Sequence, residues 1–501
     1  MSRVVCARDW QKPLPGQPRQ WTSCGRSAIV GAPKLNLMET GVTILSGPIS
    51  GGAHGWAFGA SLGDLAAVGY IESEFFLTGE AARYTLAGGS DYAFDGVWAV
   101  EKRGTLPFRT RLLVRRPADP GRFNGTVVVN WNNVSIGHEN LPGMSTELFE
   151  AGFAWVGASV QRVGLEGFPF GEPRGLVAWD PERYGTLSIP DDDLSYDIFT
   201  QVAAAVGPAR VAQRPDPMGG LAVRRLLAFG ASQSACRLAT YYNAVQLLSQ
   251  AFDGFLLVVY PGGGSLVDST QPGPELDEIP AAVRTLVNLL PFSSHVLRTD
   301  LDAPVLVLNS ETEAPWYHAV RQADSDTYRL WEIPGTAHAS SGGAKEATAL
   351  QERDFGTVPP GLSLPADANP NTLSFAPVAE AALHHMQHWI SGGPPPPPRV
   401  EFAGDPPTVV RDEHGNAVGG IRLPQLAAAT GSHRGASPKG VPDLTGSSTP
   451  FEAETLRKLY PHRDVYLARF EAAVRHGLEQ GFLLPRDAER LRAQAAAAQI
   501  P

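Results

Sequence analysis

Leu226-Leu227-Ala228-Phe229-Gly230-Ala231-Ser232-Gln233-Ser234-Ala235 decides the fold. An apolar run of strand length ends at a glycine, a serine follows two positions later, and a helical pattern then runs from Ser234 to Leu248. A G-x-S-x-G turn between strand and helix is the nucleophile elbow. The turn holds its serine in strained backbone, so the flanking residues have to be small. The helix start aims backbone N–H groups at any anion that forms beside it. Gly230 and Ser234 flank Ser232 at the required distance, with serine replacing the second glycine. The motif alone is weak, since a second copy occurs at Gly59-Ala60-Ser61-Leu62-Gly63. There Gly51-Gly52-Ala53-His54-Gly55 precedes it and makes no strand, and too little chain lies upstream to build the strands that an elbow follows. Ser61 therefore reads as a loop residue. The bland alternative for Ser232 is a strand-to-helix turn with a capping serine; the apolar strand before it and the helix after it favour the elbow.

Outward from this turn, residues 105–392 alternate apolar strands with helical patterns, which argues for parallel βαβ units. Strands are read at Thr110–Arg115, Thr126–Trp131, Ala154–Val160, Leu221–Phe229, Gly254–Tyr260, Ala303–Asn309 and Tyr328–Ile333. Several are nearly continuous apolar runs, as strands covered on both faces are. Helices are read at Tyr196–Val206 and Ser234–Leu248. The fold class expected is α/β: a mostly parallel central sheet flanked by helices, with insertions forming a cap and a C-terminal helical extension.

Composition divides the chain further. Residues 1–37 read as a disordered segment, with Met38 a candidate start. Residues 38–392 read as the catalytic domain, with cap insertions near 163–190 and 261–301. From 393 to 501, five prolines form a stiff spacer and the remainder forms an extension packing on the core. Within that extension, Pro450 to Gln499 reads as helical with breaks.

With 501 residues, 43% hydrophobic and 18% charged, the chain has the make-up of an ordinary globular protein. A net charge of −10 and the lack of a long basic run argue against nucleic-acid or anionic-membrane partners. Cys6, Cys24 and Cys236 make neither a disulfide framework nor a metal-ligand spacing. No apolar run reaches the length of a membrane span, about 18 residues. Residues 1–37 hold no apolar signal-peptide core, so a cytoplasmic location is expected. Asp180, Asp191, Asp192 and Asp193 read as solvated loop acids rather than a cation site. Neither metal nor cofactor is expected, the partner is a small-molecule substrate, and the oligomeric state stays open.

A serine hydroxyl needs a base to take its proton. In this fold the partners follow in the order Ser, acid, His. Trp331-Glu332-Ile333-Pro334-Gly335-Thr336-Ala337-His338 is a strand ending in a Pro/Gly turn, and it carries His338 to the strand's carboxyl end. His384, His385 and His388 lie on a late helical pattern, and His318 comes too early in the order. The acid belongs at the end of the preceding strand, where Ser310-Glu311-Thr312-Glu313 exits. It orients the imidazole and stabilises its charged form. Residues two apart on a strand face alike, so periodicity does not separate Glu311 from Glu313. Glu313 is preferred because it lies further beyond the last apolar position; Glu311 remains the alternative. For the oxyanion hole, one donor is expected from the backbone of Gln233 and a second from Asn133 or Val134, in the loop after Thr126–Trp131.

Taken together, these stretches resemble the bacterial alpha/beta hydrolase domain family, whose members typically read G-E-S-Q-S-A where this chain has Gly230-Ala231-Ser232-Gln233-Ser234-Ala235. Further matching stretches are Arg111–Pro117, Trp131–Ser135, Ala178–Gly185, Ser195–Phe199, Gly335–His338 and Gly481–Pro485. The family often has T-E-T-D at Ser310–Glu313; the aspartate there supports Glu313, while the shared Glu311 keeps the alternative open. The resemblance implies hydrolase chemistry without naming a substrate. The expected activity is that of a carboxylesterase working through an acyl-enzyme on Ser232. The alternatives are a triad hydrolase of another bond type (lactone, thioester, amide or carbon–carbon) and a non-catalytic binding protein on the same fold. Trp179, Tyr184, Phe168, Phe170 and Phe292 lie in the two insertions, where they either line an apolar pocket or pack the insertions down.

Overall fold

A computed structural model describes residues 43–88, 90–141, 145–210, 215–269, 293–339, 341–358, 369–404, 408–435 and 444–500. The segment 1–37, Met38, and residues 270–292 of the second insertion, Phe292 included, lie outside these. The described residues form one unit. At its centre is a nine-stranded sheet. Its strands are β1 (Ile44–Ser46), β2 (Tyr70–Leu86), β3 (Val100–Pro117), β4 (Thr126–Trp131), β5 (Ala154–Ala158), β6 (Arg225–Ala231), β7 (Gly254–Val258), β8 (Val305–Ser310) and β9 (Tyr328–Ile333). Their order is β1-β2-β3-β5-β4-β6-β7-β8-β9. The six strands from β5 to β9 in that order pair parallel; β1, β2 and β3 join antiparallel. This is the α/β sheet expected.

Strand periodicity sorts the core into two layers. Val127, Val129 and Trp131 point into one apolar cluster and Val128 into the other. Val305 and Val307 likewise oppose Leu306 and Leu308. The first layer is closed by α1 (Ser195–Val206) and α2 (Gln233–Thr240), through Ile198, Phe199, Val202, Ala235 and Leu238. On the second layer lies α3 (Ala376–Ile390), joined there by α4 (Arg463–Glu479) and α5 (Pro485–Ala497). Trp331 of β9 shows how the last hundred residues meet the sheet. Its ring stands edge-on to Phe482 at 5.0 Å, and its indole N–H donates to the Pro397 carbonyl at 2.9 Å.

Most other elements shift by one or two residues at an end, and three differ from the sequence reading by more. β3 is 18 residues long, not six, because Glu101–Thr105 is exposed and polar and becomes strand only by pairing with β2. β6 begins at Arg225, not Leu221: the Val223 N–H turns back onto the Leu221 carbonyl, and the ladder starts after it. The helix after Ser232 is interrupted by a π turn over Tyr241–Val245, where Arg298 donates to the Asn243 carbonyl at 2.7 Å. Among the described residues no helix is long and apolar enough to cross a membrane.

Candidate active site

Ser232 follows the last residue of β6 and caps α2, with φ 59° and ψ −122°. A left-handed φ is rare for a residue with a side chain and costs on the order of 1–3 kcal/mol, so the surroundings have to enforce it. They do so from both sides. The Ser232 N–H donates to Val258 of the neighbouring strand at 2.9 Å. The Ser234 hydroxyl donates to the Ala231 carbonyl and accepts the Ala231 N–H, both at 2.9 Å. The serine in place of the second glycine therefore braces the turn. Gly230 has no such freedom: a Cβ there would stand 2.8 Å from the Ser234 carbonyl oxygen and 2.9 Å from Leu238 Cδ1. Cys236, one turn further on, has its thiol pushed up to about 12 by burial and offers no thiolate nearby. Ser61, in the second motif copy, lies in a loop with its N–H on Glu72.

His338 and Glu313 meet. His338 Nδ1 lies 2.7 Å from Glu313 Oε1 and donates to it; this leaves the neutral ring's Nε2 as a proton acceptor. Glu313 is fully buried, and its other oxygen accepts the Ser310 N–H at 2.9 Å and the Ser310 hydroxyl at 2.6 Å. Glu311 is also buried but points elsewhere. It accepts Gly335 N–H at 2.7 Å, Gly435 N–H at 3.0 Å and Arg411 Nη2 at 2.5 Å. The two glutamates part because the chain leaves extended geometry after Ser310: Glu313 has φ −78° and ψ −22° and starts a short helix, Ala314–Tyr317. Thr312, between them, accepts the His338 N–H at 3.0 Å.

The rival histidines are engaged in other places. His318 Nδ1 contacts the Pro315 carbonyl, His384 pairs with Glu147, and His385 contacts the Gly481 carbonyl.

Gln233 begins α2, so its backbone N–H has no acceptor within the helix. Its side chain is tied down, with Nε2 on Gln161 at 2.9 Å and Oε1 accepting Val134 N–H at 3.4 Å. Asn133 uses Nδ2 to hold the Ala231 carbonyl at 2.9 Å. The loop after β4 is thus stitched to the elbow at both Asn133 and Val134. Of the two insertions' aromatics, Trp179 is stacked on His54 at 3.9 Å and Tyr184 donates to buried Glu74 at 2.8 Å, so both serve packing. Phe168 stacks on Phe170. A small pocket of about 20 Å³, room for a single water, lies between the loop after β4 and the helix Ser341–Phe355, lined by Phe58, His138, Leu141, Leu350 and Phe355 among others. The loop acids are not solvated as the sequence suggested, since Asp180, Asp192 and Asp193 are buried; Asp180 caps Pro181–Tyr184, Asp191 caps Asp192–Leu194, and Asp193 accepts two bonds from Ser269.

Three side chains around this site went unread in the sequence. Ser310 and Thr312 stand inside the quoted exit stretch and could have been weighed as anchors. Arg411 carries no local signal, since its partner lies a hundred residues earlier.

Similar solved structures include a candidate dienelactone hydrolase of Klebsiella pneumoniae (13% identity, 63% of this chain and 98% of that one, TM-score 0.28). The esterase Est22 gives 12% identity, 57% and 78% coverage, and TM-score 0.28. Acetyl xylan esterase 1 of Thermoanaerobacterium sp. gives 11%, 55% and 88%, and 0.26. At those TM-scores the three add nothing to the assignment. No curated protein matches the sequence. The family model described as alpha/beta hydrolase domain matches residues 45–493, and the chain belongs to that family.

Proposed function

We propose that the chain is a serine hydrolase, most directly a carboxylesterase, in which Ser232 attacks the ester carbonyl and His338 takes its proton. The observation that carries this reading is the Glu313–His338 pair at the carboxyl edge of the sheet that also presents Ser232 in strained backbone. Three inter-strand steps separate β6 from β9, about 14 Å. The five residues from Ile333 to His338 reach up to about 16 Å, so the imidazole is able to return over the edge to the elbow.

In this mechanism Glu313 holds the tautomer that leaves Nε2 free and offsets the imidazolium charge. The Ser232 oxygen bonds to the carbonyl carbon while its proton moves to Nε2. The oxyanion meets the Gln233 N–H and a second donor from Asn133 or, once its N–H leaves Gln233 Oε1, from Val134. Collapse expels the alcohol with the proton from Nε2, and water repeats the sequence to release the acid.

Hydrolysis of a p-nitrophenyl ester series and labelling by a fluorophosphonate test the reading. Ser232→Ala and His338→Ala should each remove most activity. A wild-type protein that hydrolyses no ester and takes no label at Ser232 would leave a binding protein on the same fold; labelling without ester turnover would point to another acyl bond.

A further inference from the structure

We propose that the C-terminal extension belongs to the catalytic apparatus, with Arg411 and Gly435 acting through Glu311 and Thr312 as positioning residues for His338. The inference rests on the triad reading above. It goes beyond that reading by giving a task to a segment that supplies none of the reacting groups.

The loop bearing His338 is tied to the extension on both sides. Before the histidine, the Gly335 N–H and the Gly435 N–H share the carboxylate of Glu311, at 2.7 and 3.0 Å. Asn371 Nδ2 then bridges the Gly335 and Arg434 carbonyls at 2.7 and 2.9 Å. After the histidine, the Ala339 N–H donates to the Leu444 carbonyl at 2.8 Å. At the histidine itself, its N–H goes to the Thr312 hydroxyl, which donates in turn to the Gly435 carbonyl. One residue of the extension thus holds two neighbours of the acid: Gly435 gives its N–H to Glu311 and its carbonyl to Thr312.

The fit is close as well as polar. A Cβ on Gly435 would stand 2.6 Å from Glu311 Cβ, Thr312 N and the Thr336 carbonyl oxygen. Gly335, at φ 72°, lies where a Cβ would be 2.7 Å from Leu426 of the extension.

Charge explains why an arginine is present. Glu311 is buried, and a buried carboxylate is stable as an anion only when paired and hydrogen-bonded. Arg411 supplies the cation at 2.5 Å, with Nη1 anchored on the Gly415 carbonyl at 3.1 Å. Without it, the buried Glu311 carboxylate is left without a countercharge and is drawn toward water, which releases Gly335, where the turn to His338 begins. A displacement of about 1 Å at a reacting group costs up to about 100-fold in rate.

The test uses the full chain with Arg411→Ala, Arg411→Lys and Thr312→Val. Each is assayed for kcat and KM on p-nitrophenyl acetate, for rate of fluorophosphonate labelling and for thermal midpoint. Thr312→Val keeps the volume and creates no unpaired charge, so it reports even where Arg411→Ala does not fold. The expected result is a kcat about 10- to 100-fold lower for Arg411→Ala and Thr312→Val, KM within about twofold of wild type, and partial recovery in Arg411→Lys. Folded Thr312→Val and Arg411→Ala proteins with wild-type kcat would overturn the positioning role alone. A wild-type chain that takes no label at Ser232 would overturn the triad reading and this inference with it.

Discussion

Replacing Glu313 by glutamine exchanges one oxygen for an NH2 group and leaves the shape of the side chain intact. Two donors, the Ser310 N–H and hydroxyl, converge on Oε2, and the backbone one cannot turn away. The amide oxygen has to stay there, because an NH2 group would oppose the backbone N–H. The NH2 group then faces His338 Nδ1, 2.7 Å away, and reverses that hydrogen bond. The ring responds by carrying its proton on Nε2, the atom that receives the proton of Ser232 in the proposed mechanism. The corresponding carboxylate-to-amide change in a serine protease triad lowers kcat about 10⁴-fold through the wrong tautomer. At 1.36 kcal/mol per decade that is about 5 kcal/mol of barrier. Initial rates on p-nitrophenyl acetate measure it, with the thermal midpoint as a check that the fold survives. Glu311→Gln is the control. It turns one buried donor against Gly335 or Gly435 and costs about 1–3 kcal/mol of stability, with kcat down by one to two decades at most. A Glu313→Gln enzyme within tenfold of wild type, or a Glu311→Gln enzyme impaired as deeply, would refute the assignment of the acid.

Gly230→Ala should lose nearly all ester hydrolysis and about 1–3 kcal/mol of stability, because the new Cβ meets the Ser234 backbone; unchanged turnover would contradict the elbow geometry. Arg111→Met should cost about 3–5 kcal/mol in urea unfolding, since Arg111 is fully buried at 2.7 Å from Glu139 and its removal strands that buried carboxylate, while Glu74 keeps Arg183 at 2.7 Å. His433 carries an acid-dependent prediction. Burial lowers its pKa to about 4 from an ordinary 6.5, so the folded state favours the neutral ring. Its contribution is fully present above 6.5 and is lost as pH falls toward 4, by about 3 kcal/mol at most. Denaturation curves between pH 7 and 4 should show that loss and a shallower one in His433→Asn; equal slopes would remove His433 from the account.

Strands and elbow were legible because their signals are local. A nearly unbroken apolar run is a strand covered on both faces, and β4 and β9 came out residue for residue. Glu101–Thr105 has no such run, so its place in β3 depends on β2 lying alongside. The pairing at the strand exit was beyond periodicity for a different reason. The alternation rule that left Glu311 and Glu313 equivalent applies only while the chain stays extended, and it turns helical at Glu313. The aromatics of the insertions were ambiguous because an aromatic ring lines a pocket or fills a core with equal ease. His54 and Glu74 settle it for Trp179 and Tyr184.

By itself, the order of residues determined a serine on a tight turn between apolar strand and helix, and a histidine on a later strand's exit loop. Both depend on backbone geometry within a few positions of the residue concerned. Tertiary structure alone decided which carboxylate faces the imidazole, and that Arg411 and Gly435 close over the other one. Those contacts join residues up to 124 positions apart, and the free energy that selects them arises from burying charge among partners that only the folded chain brings together.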